Sequence, residues 1–193
     1  MENNYYDKHA KEYVNLTVNA NMLETYEKFL RYLPFNARIL DAGCGSGRDS
    51  IYFLRNGYDI TMIDASIKMC HYAEQLTGQK ALHVKFEEIH FEKQFDGIWA
   101  CASLLHVPEK NLENIIQKFC QALKDNGIMY ASWKYGEEER KDGERFYCDM
   151  TEDKLKNILS RVNVFECLEC WISDDVLAVD RGQKWLNVVL KKR

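Results

Sequence analysis

Two prolines, Pro34 and Pro108, are all that this 193-residue sequence contains. Neither lies in a Gly/Ser-rich stretch that would read as a linker. No segment repeats and none is compositionally simple, so nothing points to a repeat array or a disordered tail. No run of apolar residues approaches the length needed to cross a bilayer. The opening residues Met1-Glu2-Asn3-Asn4-Tyr5-Tyr6 lack the basic-then-apolar order of a secretory leader. These absences predict a cytoplasmic protein with no membrane partner. Concentrated positive charge is missing too: the net charge is −4, and the one basic cluster is Lys191-Lys192-Arg193. A chain without a basic face is not expected to bind nucleic acid. Cysteine is not scarce, but the seven residues are an odd number and are expected to stay reduced in the cytoplasm. Cys167 and Cys170 have no second Cys/His pair at zinc-like spacing, so they read as buried or half-buried thiols and no metal site is predicted.

What the sequence does contain is alternation of short apolar runs with helical patterns. Ala37–Asp41 reads as a buried strand, followed by a glycine-rich turn and a helix over Arg48–Arg55. Tyr58–Asp64 is a second strand, with Ser66 as N-cap of a helix through Glu74. Ala81–Phe86 and Phe95–Ala100 follow as strands. The spacing of Leu112, Ile115, Ile116, Phe119 and Leu123 predicts a helix over Glu109–Lys124, closed by Asn126-Gly127 as a left-handed cap. Ile128–Trp133 is a fifth strand. Strand-then-helix repetition implies parallel crossovers and an α/β, doubly wound sheet. After residue 150 come a helix over Glu152–Leu159 and strands over Val162–Trp171 and Lys184–Leu190. Two late strands without a helical crossover predict an antiparallel hairpin at one edge of a seven-stranded, mostly parallel sheet. The segment up to Leu33 reads as two capping helices.

The richest stretch is Asp41-Ala42-Gly43-Cys44-Gly45-Ser46-Gly47-Arg48-Asp49. In open α/β sheets ligands collect at the carboxyl ends of the strands, and a glycine turn there lets backbone approach them closely. A dinucleotide fingerprint requires a third glycine where Arg48 stands, and a P-loop requires Gly-Lys before Ser/Thr. Neither phosphate template fits. Asp41, two places before the first glycine, suits an ammonium group rather than an anion. Asp64, ending the second strand, can accept both hydroxyls of a ribose. The inferred ligand carries an amino group and a ribose and has no pyrophosphate.

Ile39–Gly47 resembles the first motif of the class I S-adenosylmethionine-dependent methyltransferases, and Ile63-Asp64-Ala65-Ser66 resembles their second. Phe95–Ala100 and Leu123–Ile128 continue the likeness, which covers roughly residues 35 to 133. The nearest type within the family is the small stand-alone bacterial one. The resemblance implies a Rossmann-like fold and S-adenosyl-L-methionine as cofactor. It places Asp41, Gly43 and Gly45 against the methionine portion, Asp64 on the ribose and Ala65 against the adenine. Phe86 and Glu87 take the adenine amine, and Ala100 of the fourth strand is a further expected cofactor-binding residue. The expected organisation is a single methyltransferase domain over 1–193, with a helical lid at 1–33, a cofactor-binding core at 35–133 and an acceptor-side loop with edge strands at 134–193.

Methyl transfer from a sulfonium is an in-line displacement. Positioning and desolvation therefore carry much of it, with a base where the acceptor holds a proton. His106, just beyond the fourth strand, is the candidate base, a residue type that titrates near neutral pH. Cys101 and Ser103 line the same exit. Tyr6 and Tyr13 lie in the segment that relatives fold over the cofactor. Tyr135, Arg145, Tyr147 and Arg181 are candidates for the acceptor side, and arginines there suit an anionic group. Glu137–Lys141 reads as a solvated tip. The expected reaction moves a methyl group to an O, N or S atom of a small molecule. A non-catalytic module that binds the same nucleoside is the alternative from another class. A nicotinamide oxidoreductase stands third, because Arg48 breaks its fingerprint.

Overall fold

A computed structural model describes residues 4–177 and 182–193. Its centre is a seven-stranded sheet in the order β3-β2-β1-β4-β5-β9-β8. The strands are β1 (Arg38–Ala42), β2 (Asp59–Asp64), β3 (Ala81–His83), β4 (Phe95–Ala100), β5 (Leu123–Lys134), β8 (Phe165–Asp174) and β9 (Lys184–Lys192). β1 to β5 are parallel, and β9 runs antiparallel between β5 and β8. This is the doubly wound sheet with an antiparallel edge that the sequence predicts.

The strands read as nearly continuous apolar runs because both of their faces are covered. Ile39, Met62, Trp99, Tyr130 and Val189 point to one side, where they pack with Tyr26 and Phe29 of α3 (Leu23–Leu30), Phe53 of α4 (Arg48–Arg55) and Ala73 of α5 (Ile67–Thr77). Their neighbours Leu40, Ile63, Ile98, Met129 and Val188 point to the other, against α6 (Glu109–Ala122) and α7 (Glu152–Val162). The period-two alternation thus supplies two cores from one sheet. From β1 the chain winds outward through β2 to β3 and then crosses back to β4 on the other side of β1, and the switch point between β1 and β4 is where such folds open a crevice.

Several boundaries differ from the sequence reading. The N-terminal segment holds three helices rather than two: α1 (Asn4–Lys8), α2 (Ala10–Thr17) and α3. β3 stops at His83, and Phe86 belongs to a 3₁₀ turn, Phe86–Glu88. α6 ends at Ala122, and the left-handed residue Asn126 (φ 62°) lies inside the opening of β5 rather than capping the helix. The expected solvated tip is an antiparallel hairpin, β6 (Glu139–Asp142) with β7 (Arg145–Cys148). Ser66 does cap α5, its side chain accepting from the Met69 N–H at 3.2 Å.

Among the described residues no helix is long and apolar enough to cross a membrane, and no group of His, Cys, Asp or Glu could hold a metal ion. Cys167 and Cys170 are exposed thiols on β8 rather than buried or half-buried ones, because β8 is the sheet edge.

Candidate active site

The glycine turn leaves the carboxyl end of β1 and is pinned to β2. The N–H groups of Gly43 and Cys44 both donate to the Ile63 carbonyl, at 2.9 and 3.0 Å. Gly43 takes φ 84°, and a Cβ on it would sit 2.5 Å from the Cβ of Ser103. That position requires glycine twice over, for its left-handed backbone and for the close approach of the β4 exit. Ser103 fastens the approach by donating from Oγ to the Ala42 carbonyl at 2.7 Å.

Asp64 ends β2 with its carboxylate held by the turn. Oδ2 accepts from the Gly45 N–H at 2.9 Å and Oδ1 from the Ser66 N–H at 2.8 Å. Each oxygen keeps a further lone pair for an outside donor. Burial pushes the carboxyl up to about 6, against the lowering pull of those two backbone bonds. A ligand that donates hydroxyls to Asp64 favours its ionised form. Affinity for such a ligand is therefore expected to be flat above pH 7 and to fall by up to tenfold per unit below about pH 6. Titrations between pH 5 and 8 check this, and affinity unchanged at pH 5 would remove Asp64 from the contact.

Two cavities open at the turn, and Asp64 lines the larger. One, of about 350 Å³, is lined by Gly43, Gly45, Asp64, Ala65, Phe86 and Glu87, together with Ser103 and His106. The other, of about 260 Å³, extends toward Ser132, Lys134, Arg145, Tyr147 and Trp185. Gly43, Gly45, Tyr6, Tyr13, Cys101, His106 and Arg145 line both, so the two spaces meet there.

Six of the residues expected to hold the cofactor thus converge on one cavity. Asp41 and Ala100 do not line either. Ala100 is enclosed within β4, and Asp41 lies beneath the turn, accepting from Ser50 Oγ at 2.5 Å. Burial, together with the nearby Asp49, pushes the Asp41 carboxyl above its ordinary range. A second carboxylate near the turn, Asp49, which carries no motif signal in the sequence, lines the smaller cavity. It accepts from Arg48 Nε and Nη2 (2.6 and 2.9 Å), Tyr26 Oη (2.5 Å) and Trp99 Nε1 (2.8 Å). Burial works against its charge, but Arg48 and these donors hold the carboxyl below its usual range.

His106, in a 3₁₀ turn after β4, has both ring nitrogens engaged. Nδ1 lies 2.8 Å from the Phe146 carbonyl, which can only accept, so Nδ1 carries the proton. Nε2 is then the acceptor for the Tyr6 hydroxyl at 2.7 Å. Burial, with Arg145 and Lys134 adding to it, pushes the imidazolium down to about 4. The neutral-range titration expected of His106 is therefore corrected, and the ring is neutral throughout the physiological range.

The N-terminal helices are drawn over the site by specific contacts. Asp7 accepts from Ser66 Oγ at 2.5 Å and from the Lys68 N–H at 3.2 Å, an anion placed at the N-terminus of α5. Lys8 pairs with Glu144 of the hairpin at 2.9 Å. The Tyr6 ring packs edge-on against Tyr13 at 5.0 Å and against His106 at 5.4 Å. Arg145 and Tyr147 reach the second cavity from β7, whereas Tyr135 is exposed and lines neither cavity. Arg181 lies outside the described residues.

Comparison with known proteins adds to this geometry. Residues 39–127 match the family model described as a methyltransferase domain. Over 206 aligned residues the chain is 26% identical to an uncharacterized methyltransferase of Staphylococcus carnosus, covering 96% of this chain and 97% of that one. It is 32% identical over 97 residues to malonyl-[acyl-carrier protein] O-methyltransferase of Enterobacter lignolyticus, covering 48% of this chain and 37% of that one. Among solved structures it resembles the 1,6-didemethyltoxoflavin-N1-methyltransferase of Burkholderia thailandensis, crystallised with 1,6-didemethyltoxoflavin and S-adenosylhomocysteine. There the TM-score is 0.76 at 21% identity, covering 98% of this chain and 84% of that one. It also resembles the magnesium protoporphyrin IX methyltransferase of Synechocystis with bound S-adenosylhomocysteine, at TM-score 0.77 and 16% identity, covering 98% and 97%.

Proposed function

We propose that this chain, a class I S-adenosylmethionine-dependent methyltransferase, transfers the methyl group to an O, N or S atom of a small-molecule acceptor held in the smaller of the two cavities. The observation that carries the reading is the Asp64 carboxylate. It is fixed by two backbone N–H groups at the end of β2, with free lone pairs, beside a turn that only glycine can make. These residues fit a nucleoside that bears an amino acid tail. Asp64 takes the ribose hydroxyls, Ala65, Phe86 and Glu87 surround the adenine, and Gly43 and Gly45 lie along the methionine portion. Bound there, S-adenosyl-L-methionine supplies a methyl group on a positively charged sulfur.

The chain's own residues do the rest. Tyr6 and Tyr13 shut water out of the space where the cavities meet, and in such a dry site a sulfonium is favoured by aromatic faces. His106 is neutral at pH 7 and lines both cavities, with its Nε2 accepting from the Tyr6 hydroxyl. A proton leaving the acceptor passes to the Tyr6 oxygen as the Tyr6 proton moves to Nε2, and the Phe146 carbonyl steadies Nδ1–H. Residues 1–33 act as a lid, 35–133 as the cofactor-binding core and 134–193 as the acceptor side.

Removing the imidazole tests this division. His106→Ala is expected to lower kcat by roughly 10²–10⁴-fold for an acceptor that must lose a proton, while S-adenosylhomocysteine affinity changes less than about threefold. Release of S-adenosylhomocysteine from S-adenosylmethionine and a panel of small acceptors reads the rate. Equal loss in both quantities would make His106 a structural residue, and no turnover with any acceptor would favour a binding module.

A further inference from the structure

The acceptor side of the smaller cavity gathers positive charge beside Tyr147. Lys134 Nζ lies 4.0 Å from the Tyr147 ring centroid, and the Arg145 guanidinium carbon lies 5.3 Å from it and 4.6 Å from the Tyr5 ring. Both residues line the cavity. Among the described residues Lys134 forms no ion pair, and the Nε–H of Arg145 is buried without a hydrogen-bond partner. The one carboxylate against Arg145 is Asp142, 3.5 Å away, with its side chain 58% exposed. Surface pairs of that kind contribute little. The third cation on the ring, Arg140, is already satisfied by Asp149 at 2.9 Å.

Two other acids of this cavity already have cationic partners, Asp49 with Arg48 and Asp174 with Lys184, while Asp175 accepts from the Leu177 N–H. Lys134 is destabilised in its charged form, first by burial and then by Arg140 and Arg145. Two partly buried cations close to one ring repel each other, and protein interiors carry such an arrangement at a cost unless an anion arrives.

We propose that the acceptor carries a carboxylate, bound where Lys134 and Arg145 converge on Tyr147, with a flat body lying among Tyr6, Tyr147 and Trp185. The inference rests on the reading of this cavity as the acceptor site and narrows it to one substrate class. A carboxylate that takes the place of the exposed Asp142 meets both the unpartnered Nε–H and the Nη2 group of Arg145, the fork that a carboxylate fills bidentately, and a lysine beside it adds a point charge. The cavity volume of about 260 Å³ lies below the usual span of drug-sized sites, roughly 300–1,000 Å³. That size suits a single-ring acid rather than an extended conjugate.

The test is calorimetric titration of the full chain, with and without S-adenosylhomocysteine, using benzoate, phenylacetate and 4-hydroxybenzoate, each against its own primary amide. At least one acid should bind more than tenfold tighter than its amide. That preference should disappear in Lys134→Met and Arg145→Met, and partly return in Lys134→Arg and Arg145→Lys, with thermal unfolding confirming that each variant folds. Amides that bind as well as acids would overturn the proposal. So would a preference that survives both methionine substitutions, or failure of all three acids to bind protein that binds S-adenosylhomocysteine. If acids bind as expected but S-adenosylhomocysteine does not, the cofactor reading fails and the anion site stands.

Discussion

Asp49→Ala should lower folding stability by about 3–5 kcal/mol, the range for stripping the partner from a buried charge. The carboxylate accepts four hydrogen bonds, from Arg48 twice, from Tyr26 and from Trp99. Without it, the Arg48 guanidinium keeps only the long bond to the Thr17 carbonyl at 3.4 Å and a weak contact with Cys101. Tyr26 and Trp99 are buried and lose the acceptor that justifies placing a phenol and an indole N–H there. For a chain of this length the loss corresponds to a midpoint shift of roughly 2–4 °C per kcal/mol. Because the Asp49 carboxyl is held below its usual range, its contribution is present above the unfolded value, about 3.9. It is lost as pH falls through the folded one. The double change Arg48→Met/Asp49→Leu should cost less than Asp49→Ala alone, since no charge is then left buried. Thermal and urea unfolding measure both, and a loss below about 1 kcal/mol for Asp49→Ala would show that the network is not structural.

The second large effect is on binding. Asp64→Ala should weaken S-adenosylhomocysteine binding by more than about tenfold, because hydrogen bonds to a charged acceptor contribute roughly 1.5–3 kcal/mol each and tenfold is only about 1.4 kcal/mol. The substitution also frees the Gly45 and Ser66 N–H groups, so the turn loses an anchor together with the ligand contact. Asp64→Asn separates these contributions. It retains one acceptor oxygen and should fall between the wild type and the alanine variant. Affinity within twofold of wild type for Asp64→Ala would detach this carboxylate from the ribose.

The parts of the fold that were legible in the sequence are those where a local pattern and tertiary burial agree. Ile39-Leu40 and Ile98-Trp99 are apolar on consecutive positions because helices cover both faces, so runs of this kind announce central parallel strands. The β6–β7 hairpin was not legible because Glu139-Arg140-Lys141-Asp142 buries little, and its pairing comes from backbone bonds to Arg145–Cys148. Asn126-Gly127 has the chemistry of a helix cap, but α6 stops at Ala122, before that signal. In the candidate site, Asp64 and the glycines announce themselves by spacing. The Asp49 network does not, because its donors Tyr26 and Trp99 lie 23 and 50 residues away. The Tyr6–His106 bond joins residues 100 apart. Spacing identified His106 as a histidine at the strand exit. Only the fold shows that it is buried and neutral.

The turn after β1 and the Asp64 carboxylate are proposed to hold a sulfur nucleoside and no dinucleotide. Calorimetric titration of the purified chain with S-adenosylmethionine, S-adenosylhomocysteine and NAD tests it directly. Saturable binding of both sulfur nucleosides in the micromolar range, one per chain, and none of NAD, is the expected result. Binding of NAD, or failure of both sulfur nucleosides to bind a folded protein at millimolar concentration, would contradict it.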